Sequence, residues 1–198
     1  MAANKISEGL GYIDSVLAVN DSNVLALTQL YKAHQALNTA SLAVERIKQA
    51  YSKNKADVIY QLLYAQVLFD QKQYNKVPDV LTIDSAKTSS QLTPYWLLLG
   101  ESYIKLKKTD KAHLVFSTWA DMQPKNKVAW LSIASIYARN EQFLDALSSI
   151  ERASKHFAND SQLKKIKIHY FMWPFEVIIY LRNFSESLKN ELRKGENL

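Results

Sequence analysis

Apolar and small residues recur along this chain in stripes of helical spacing, separated by short polar runs. Between residues 96 and 124 the stripe Trp96, Leu99, Gly100 and Tyr103 is followed by Ala112, Phe116 and Trp119. Such spacing puts each group on one face of a helix. The polar run from Lys107 to Asp110 predicts a tight turn between them, with Asp110 as N-cap of the second helix and Pro124 as its stop. The same order returns at Trp130, Ile133, Ala134 and Tyr137, then Ala146, Ile150 and Ala153.

Weaker copies precede these. Residues 24–57 carry Leu27, Leu30, Tyr31 and His34, then Ala43, Ile47 and Ala50. Residues 58–91 carry Tyr64, Ala65 and Leu68, then Val77 and Leu81, with Gln61 in the place of the large aromatic. Pro78 falls in the first turn of that second helix, where a missing N–H is tolerated. Residues 82–92 read as a polar linker, and Thr93-Pro94 as the N-cap and first position of the next helix. Residues 5–19 predict one amphipathic helix with Ile6, Leu10, Ile13, Val16 and Leu17 on one side, the second member of a pair whose first helix is missing. That arrangement fits either an N-terminal cap or a cut from a longer array, and the cut is favoured. Beyond residue 160 the period fails. Leu163, Ile166 and Tyr170 predict one helix ending near Trp173-Pro174, and Phe175, Ile179, Leu181, Phe184, Leu188 and Leu192 a last one. A cap over the exposed end of the array is the preferred reading of residues 161–198. A dimer or partner-docking helix and a membrane-surface helix stay open.

The order W-x2-L-G-x2-Y, then small, aromatic and small residues with a closing proline, at a period of about 34, resembles the tetratricopeptide repeat (TPR) family. The resemblance covers residues 24–160, as repeats 24–57, 58–91, 93–126 and 127–160, after an N-terminal half-repeat in residues 1–23. It implies an all-α chain, an α-solenoid of antiparallel helix pairs wound as a right-handed superhelix with a C-terminal helical cap. It also implies a scaffold that holds other proteins. In the family the first helix of each repeat lines a concave groove through positions offset from the packing stripe. The positions with matching offset include Lys32, Leu62, Gln66, Phe69, Leu97, Glu101, Ile104, Leu131 and Ser135. This mostly apolar set suits a peptide or partner helix with hydrophobic anchors. The clamp that some TPR proteins use for chaperone C-termini needs several basic or amide donors there. Lys32 alone does not make one.

Composition narrows the functional classes. Cysteine is absent from the 198 residues, so no disulfide, thiolate metal site or cysteine nucleophile exists. Only four glycines and four prolines interrupt the chain, as an all-helical fold requires. The net charge of +6 is spread thinly, with no basic block of the kind that dominates phosphate binding, so nucleic acid is not an expected partner. The histidines His34, His113, His156 and His169 form no i, i+4 pair, and no phosphate loop, nucleophile elbow or dinucleotide fingerprint is present. His34, on a packing position, reads as a satisfied core histidine. No enzyme activity, cofactor or metal is expected. The start has no apolar signal segment, and the longest apolar run, about fourteen residues, is too short to span a bilayer. A cytoplasmic, bacterial protein without direct membrane insertion is the resulting expectation. A homodimer through the C-terminal helices is the alternative role, and a regulatory fragment of a larger protein a further one.

Overall fold

A computed structural model describes residues 2–88, 93–157, 160–161 and 163–165. Ten α-helices follow one another with no strand among the described residues: α1 (Ala2–Val19), α2 (Val24–Ala36), α3 (Ser41–Lys53), α4 (Val58–Asp70), α5 (Val77–Val80), α6 (Ile83–Thr88), α7 (Thr93–Lys105), α8 (Thr109–Met122), α9 (Lys127–Arg139) and α10 (Phe143–His156). The fold is an all-α solenoid of helix pairs.

Local chemistry starts and stops these helices at repeating places. Asn23, Asp57 and Asn126 accept backbone N–H groups at the starts of α2, α4 and α9, which satisfies donors that have no intrahelical partner. The ends of α2, α4, α7 and α9 share one closing motif. Thr39 N–H donates to the His34 carbonyl, Gln73 to Leu68, Lys108 to Tyr103 and Gln142 to Tyr137, at 2.8, 2.8, 2.9 and 2.9 Å. This six-to-one bond needs a left-handed residue just before its donor. Asn38, Lys72, Lys107 and Glu141 supply it with φ of 57°, 60°, 57° and 60°. None is glycine, and at Lys72, Lys107 and Glu141 the turn holds a conformation that the residue type disfavours, whereas Asn38 tolerates it. Asp110 lies inside the first turn of α8, which begins at Thr109, rather than before it. There its charge still complements the positive end of the helix dipole.

The chain divides into two compact units, Met1–Val115 and a second starting at Phe116. In the first, α1 packs on α2, α2 on α3 and α4, α3 on α4, and α4 on α7. Leu17, Leu27, Leu30, Tyr31, Ala43, Ile47, Ala50 and Val67 form one buried cluster there. Each large apolar side chain in it contributes about 1.5–3 kcal/mol relative to exposure. Trp96 and Leu99 on α7 are buried as well. Two details depart from the sequence reading. Val16 is 45% exposed, so the inner face of α1 runs through Leu17 instead. The second helix of residues 58–91 is split into a 3-10 turn (Tyr74–Lys76), α5 and α6, and α6 occupies part of the expected linker.

In the second unit α9 packs on α10. Ala129, Trp130, Ile133, Ala134 and Ile136 are buried on α9, and Ala146, Ile150 and Ala153 on α10. Phe116, Trp119 and Ala120, the end of α8, are buried too. Asp160 accepts the Leu163 N–H at 3.0 Å, as Asn126 accepts that of Val128 at 3.1 Å, so helix-start chemistry recurs in phase past the last expected repeat. Residues 166–198, on which most of the expected C-terminal cap falls, lie outside the described residues.

Candidate functional site

The same residues that build the core of the first unit leave a second face on α2, α4 and α7. Helices α2 and α4 lie side by side, as do α4 and α7. Behind that face, Leu27, Leu30 and Tyr31 are buried on α2, Ala65 and Leu68 on α4, and Trp96, Leu99 and Gly100 on α7. The offset positions have a different environment. Leu62, Phe69, Leu97, Glu101 and Ile104 are half-buried, and Lys32 and Gln66 are exposed. Lys32 has no partner among the described residues. Leu131 and Ser135 are half-buried on α9, in the second unit.

A polar network ties α2 to α4 on this face. The Asp70 carboxylate accepts the Gln35 amide at 3.0 Å on one oxygen and the Gln66 amide at 2.8 Å on the other. The Tyr31 hydroxyl lies beside the same carboxylate. Burial, then the Asp70 charge and its hydrogen bond, push the Tyr31 pKa up to about 12. Next to Asp70, the Phe69 ring meets Tyr74 edge-on, centroids 5.0 Å apart. Sequence reasoning placed Gln66 and Phe69 but missed Asp70, which ends α4. Its only advance signal is the i, i+4 spacing to Gln66.

Away from that face, His34 is half-buried and its Nδ1 shares a hydrogen bond of 2.9 Å with Thr39 Oγ1. In the second unit the Arg152 guanidinium lies over the Trp130 ring, 4.8 Å from its centroid, and the His156 ring stacks on Trp130 at 6.1 Å between centroids. Trp130 Nε1 donates to the Pro124 carbonyl at 3.0 Å. Beside them a cavity of about 760 Å³ is lined by Gln123, Pro124, Lys125, Asn126, Lys127 and His156. Lys127 is paired with Asp160 at 2.9 Å. Among the described residues no group of acidic or histidine side chains is placed to hold a metal, and no helix is long and apolar enough to cross a membrane.

The profile of the family described as anaphase-promoting complex, cyclosome, subunit 3 matches residues 33–119, less than half of the chain. Among solved structures, a thermophilic TPR protein of Thermus thermophilus is 17% identical at a TM-score of 0.57, over 86% of this chain and 93% of that one. MamA is 16% identical at 0.62, over 80% and 92%. YrrB, described as a TPR protein with an unusual peptide-binding site, is 16% identical at 0.58, over 84% and 85%. No curated protein matches the chain. These likenesses show the fold, which is that of tetratricopeptide repeat structures.

Proposed function

We propose that this protein is a non-catalytic interaction scaffold, and that the face shared by α2, α4 and α7 holds a peptide or partner helix. One observation carries the reading. Leu62, Phe69, Leu97 and Ile104 stand half-buried on two neighbouring helices, while the stripe behind them is buried. Half-buried apolar groups gain from a partner that completes their burial, by roughly 25 cal/mol per Å² removed from water. The amides of Gln35 and Gln66 supply polar groups that set direction and register. Leu131 and Ser135 on α9 offer a similar surface in the second unit. The peptide-binding site of YrrB supports the reading by analogy of fold. An adaptor or assembly role in a cytoplasmic setting, with neither nucleic acid nor cofactor, fits this chemistry.

The test is selection of phage-displayed peptides on the wild type and on the double variant Leu62→Glu, Leu97→Glu. The variant is expected to lose the selected peptides while its unfolding free energy falls by less than about 1 kcal/mol, as for surface positions. Unaltered capture would remove the groove. A loss of several kcal/mol would make these side chains core.

A further inference from the structure

Asp70, like Lys32 and Glu101, is a charged group of this face that the apolar reading does not use. Its two carboxylate oxygens each accept an amide N–H, from Gln35 on α2 and Gln66 on α4. Both donors are neutral. Hydrogen bonds of this kind fix the position of a carboxylate without cancelling its charge. Among the described residues no lysine or arginine forms an ion pair with it. Elsewhere in the unit Asp14 pairs with Arg46 and Asp21 with Lys53.

The backbone adds to the same field. Asp70 is the last residue of α4, and Gln35 lies in the last turn of α2. Their hydrogen bond brings the two helix C-termini side by side. Each such end carries roughly half a negative charge from the aligned peptide dipoles. Two negative helix ends and one held carboxylate therefore meet at one place, on a chain whose overall charge is +6. Half-buried Phe69 precedes the exposed Asp70 directly and packs against Tyr74, so an apolar surface lies next to the carboxylate.

We propose that Asp70, held by Gln35 and Gln66, is a cation-recognition site that takes a lysine or arginine side chain of the bound peptide, next to an apolar anchor seated on Phe69. This deepens the groove reading and rests on it. The ligand class becomes a segment that combines hydrophobic residues with a basic one. The site is opposite in sign to a clamp for carboxylates. Each Asp70 oxygen keeps a free lone pair after its amide bond, so a guanidinium or ammonium is accepted without breaking the network.

The experiment uses the full chain and phage-displayed random peptides, followed by synthetic copies of a selected peptide with its basic residue kept or replaced by glutamine. Wild type is expected to select a lysine or arginine at a constant offset from an apolar residue. Asp70→Asn should weaken the basic peptide by roughly fivefold, the upper range for a partly exposed ion pair, and leave the glutamine copy unchanged. Asp70→Glu, which keeps the charge, should retain the preference and guards against a loss caused by misfolding. Selection of apolar peptides with no basic preference, or equal loss on both peptides in Asp70→Asn, overturns the cation site while the groove stands. Failure of wild type to select any peptide that Leu62→Glu, Leu97→Glu loses overturns the groove and this proposal together.

Discussion

Helix α3 and the segment from Tyr74 to Thr88 occupy the same phase of the repeat, yet one is a continuous helix and the other is three short pieces. In α3 the slots Ala43, Ile47 and Ala50 are 0%, 1% and 2% exposed. One period later the same slots hold Val77, Leu81 and Asp84. The first two are buried and Asp84 is exposed. An apolar residue at the third slot would hold the helix against its neighbours, and a carboxylate does not. Beyond Leu81, which turns to extended backbone (φ −106°, ψ 124°), nothing anchors a continued helix. Thr82 caps a new one instead, its Oγ1 accepting the Ser85 N–H at 3.1 Å.

The break leaves the Thr82 N–H without a helical acceptor. The Tyr95 hydroxyl accepts it at 3.1 Å and donates in turn to Gln61 Oε1 at 3.2 Å. Gln61 sits where the repeat pattern asks for tryptophan. What reads in one dimension as a decayed repeat is a polar brace that accommodates the broken helix. The buried slots are thus kept more strictly than the helix that presents them. Propensity contributes little here beside tertiary burial.

The largest effect is expected from emptying the equivalent slots of the two segments. Ile47→Ala and Leu81→Ala should each cost about 2–5 kcal/mol, read from denaturant midpoints. A cost below about 1 kcal/mol at Leu81 alone would mean that the broken segment has left the core. A smaller effect comes from the brace. Tyr95→Phe leaves the Thr82 N–H unsatisfied and should cost about 1–2 kcal/mol. Faster amide exchange at Thr82, with α3 unchanged, would localise that loss. The finest probe is the left-handed turns that precede the two regions. Lys72→Gly should raise stability by about 0.5–1 kcal/mol, because glycine adopts that φ freely. Asn38→Gly should gain less, since asparagine tolerates it. An equal gain at both sites would show that the side-chain type is irrelevant to these turns.

Most of the helical frame was readable from the chain. The stripes Trp96–Leu99–Gly100 and Trp130–Ile133–Ala134 are buried as their spacing requires, and Pro78 and Pro124 fall where helices start or have ended. Three of the four left-handed turns were invisible, because Lys72, Lys107 and Glu141 carry no turn signal of their own, whereas Asn38 is of a type that favours such turns. They become compulsory only once two packed helices demand a reversal at that point. The candidate groove was read partly. Its apolar positions follow from offset to the packing stripe, whereas Asp70 matters through Gln35, which is remote in sequence and adjacent in space.

Residue order was enough to say which face of each helix is apolar and at what period the faces recur, because burial is proportional to apolar area and helical geometry sets the spacing. The fold class follows from that. Where a helix breaks, which hydroxyl receives the freed N–H, and which carboxylate is held between two helix ends became visible only in three dimensions. Those outcomes depend on directional contacts between groups far apart in the chain, and hydrogen bonds and charges act over distances that residue order does not encode.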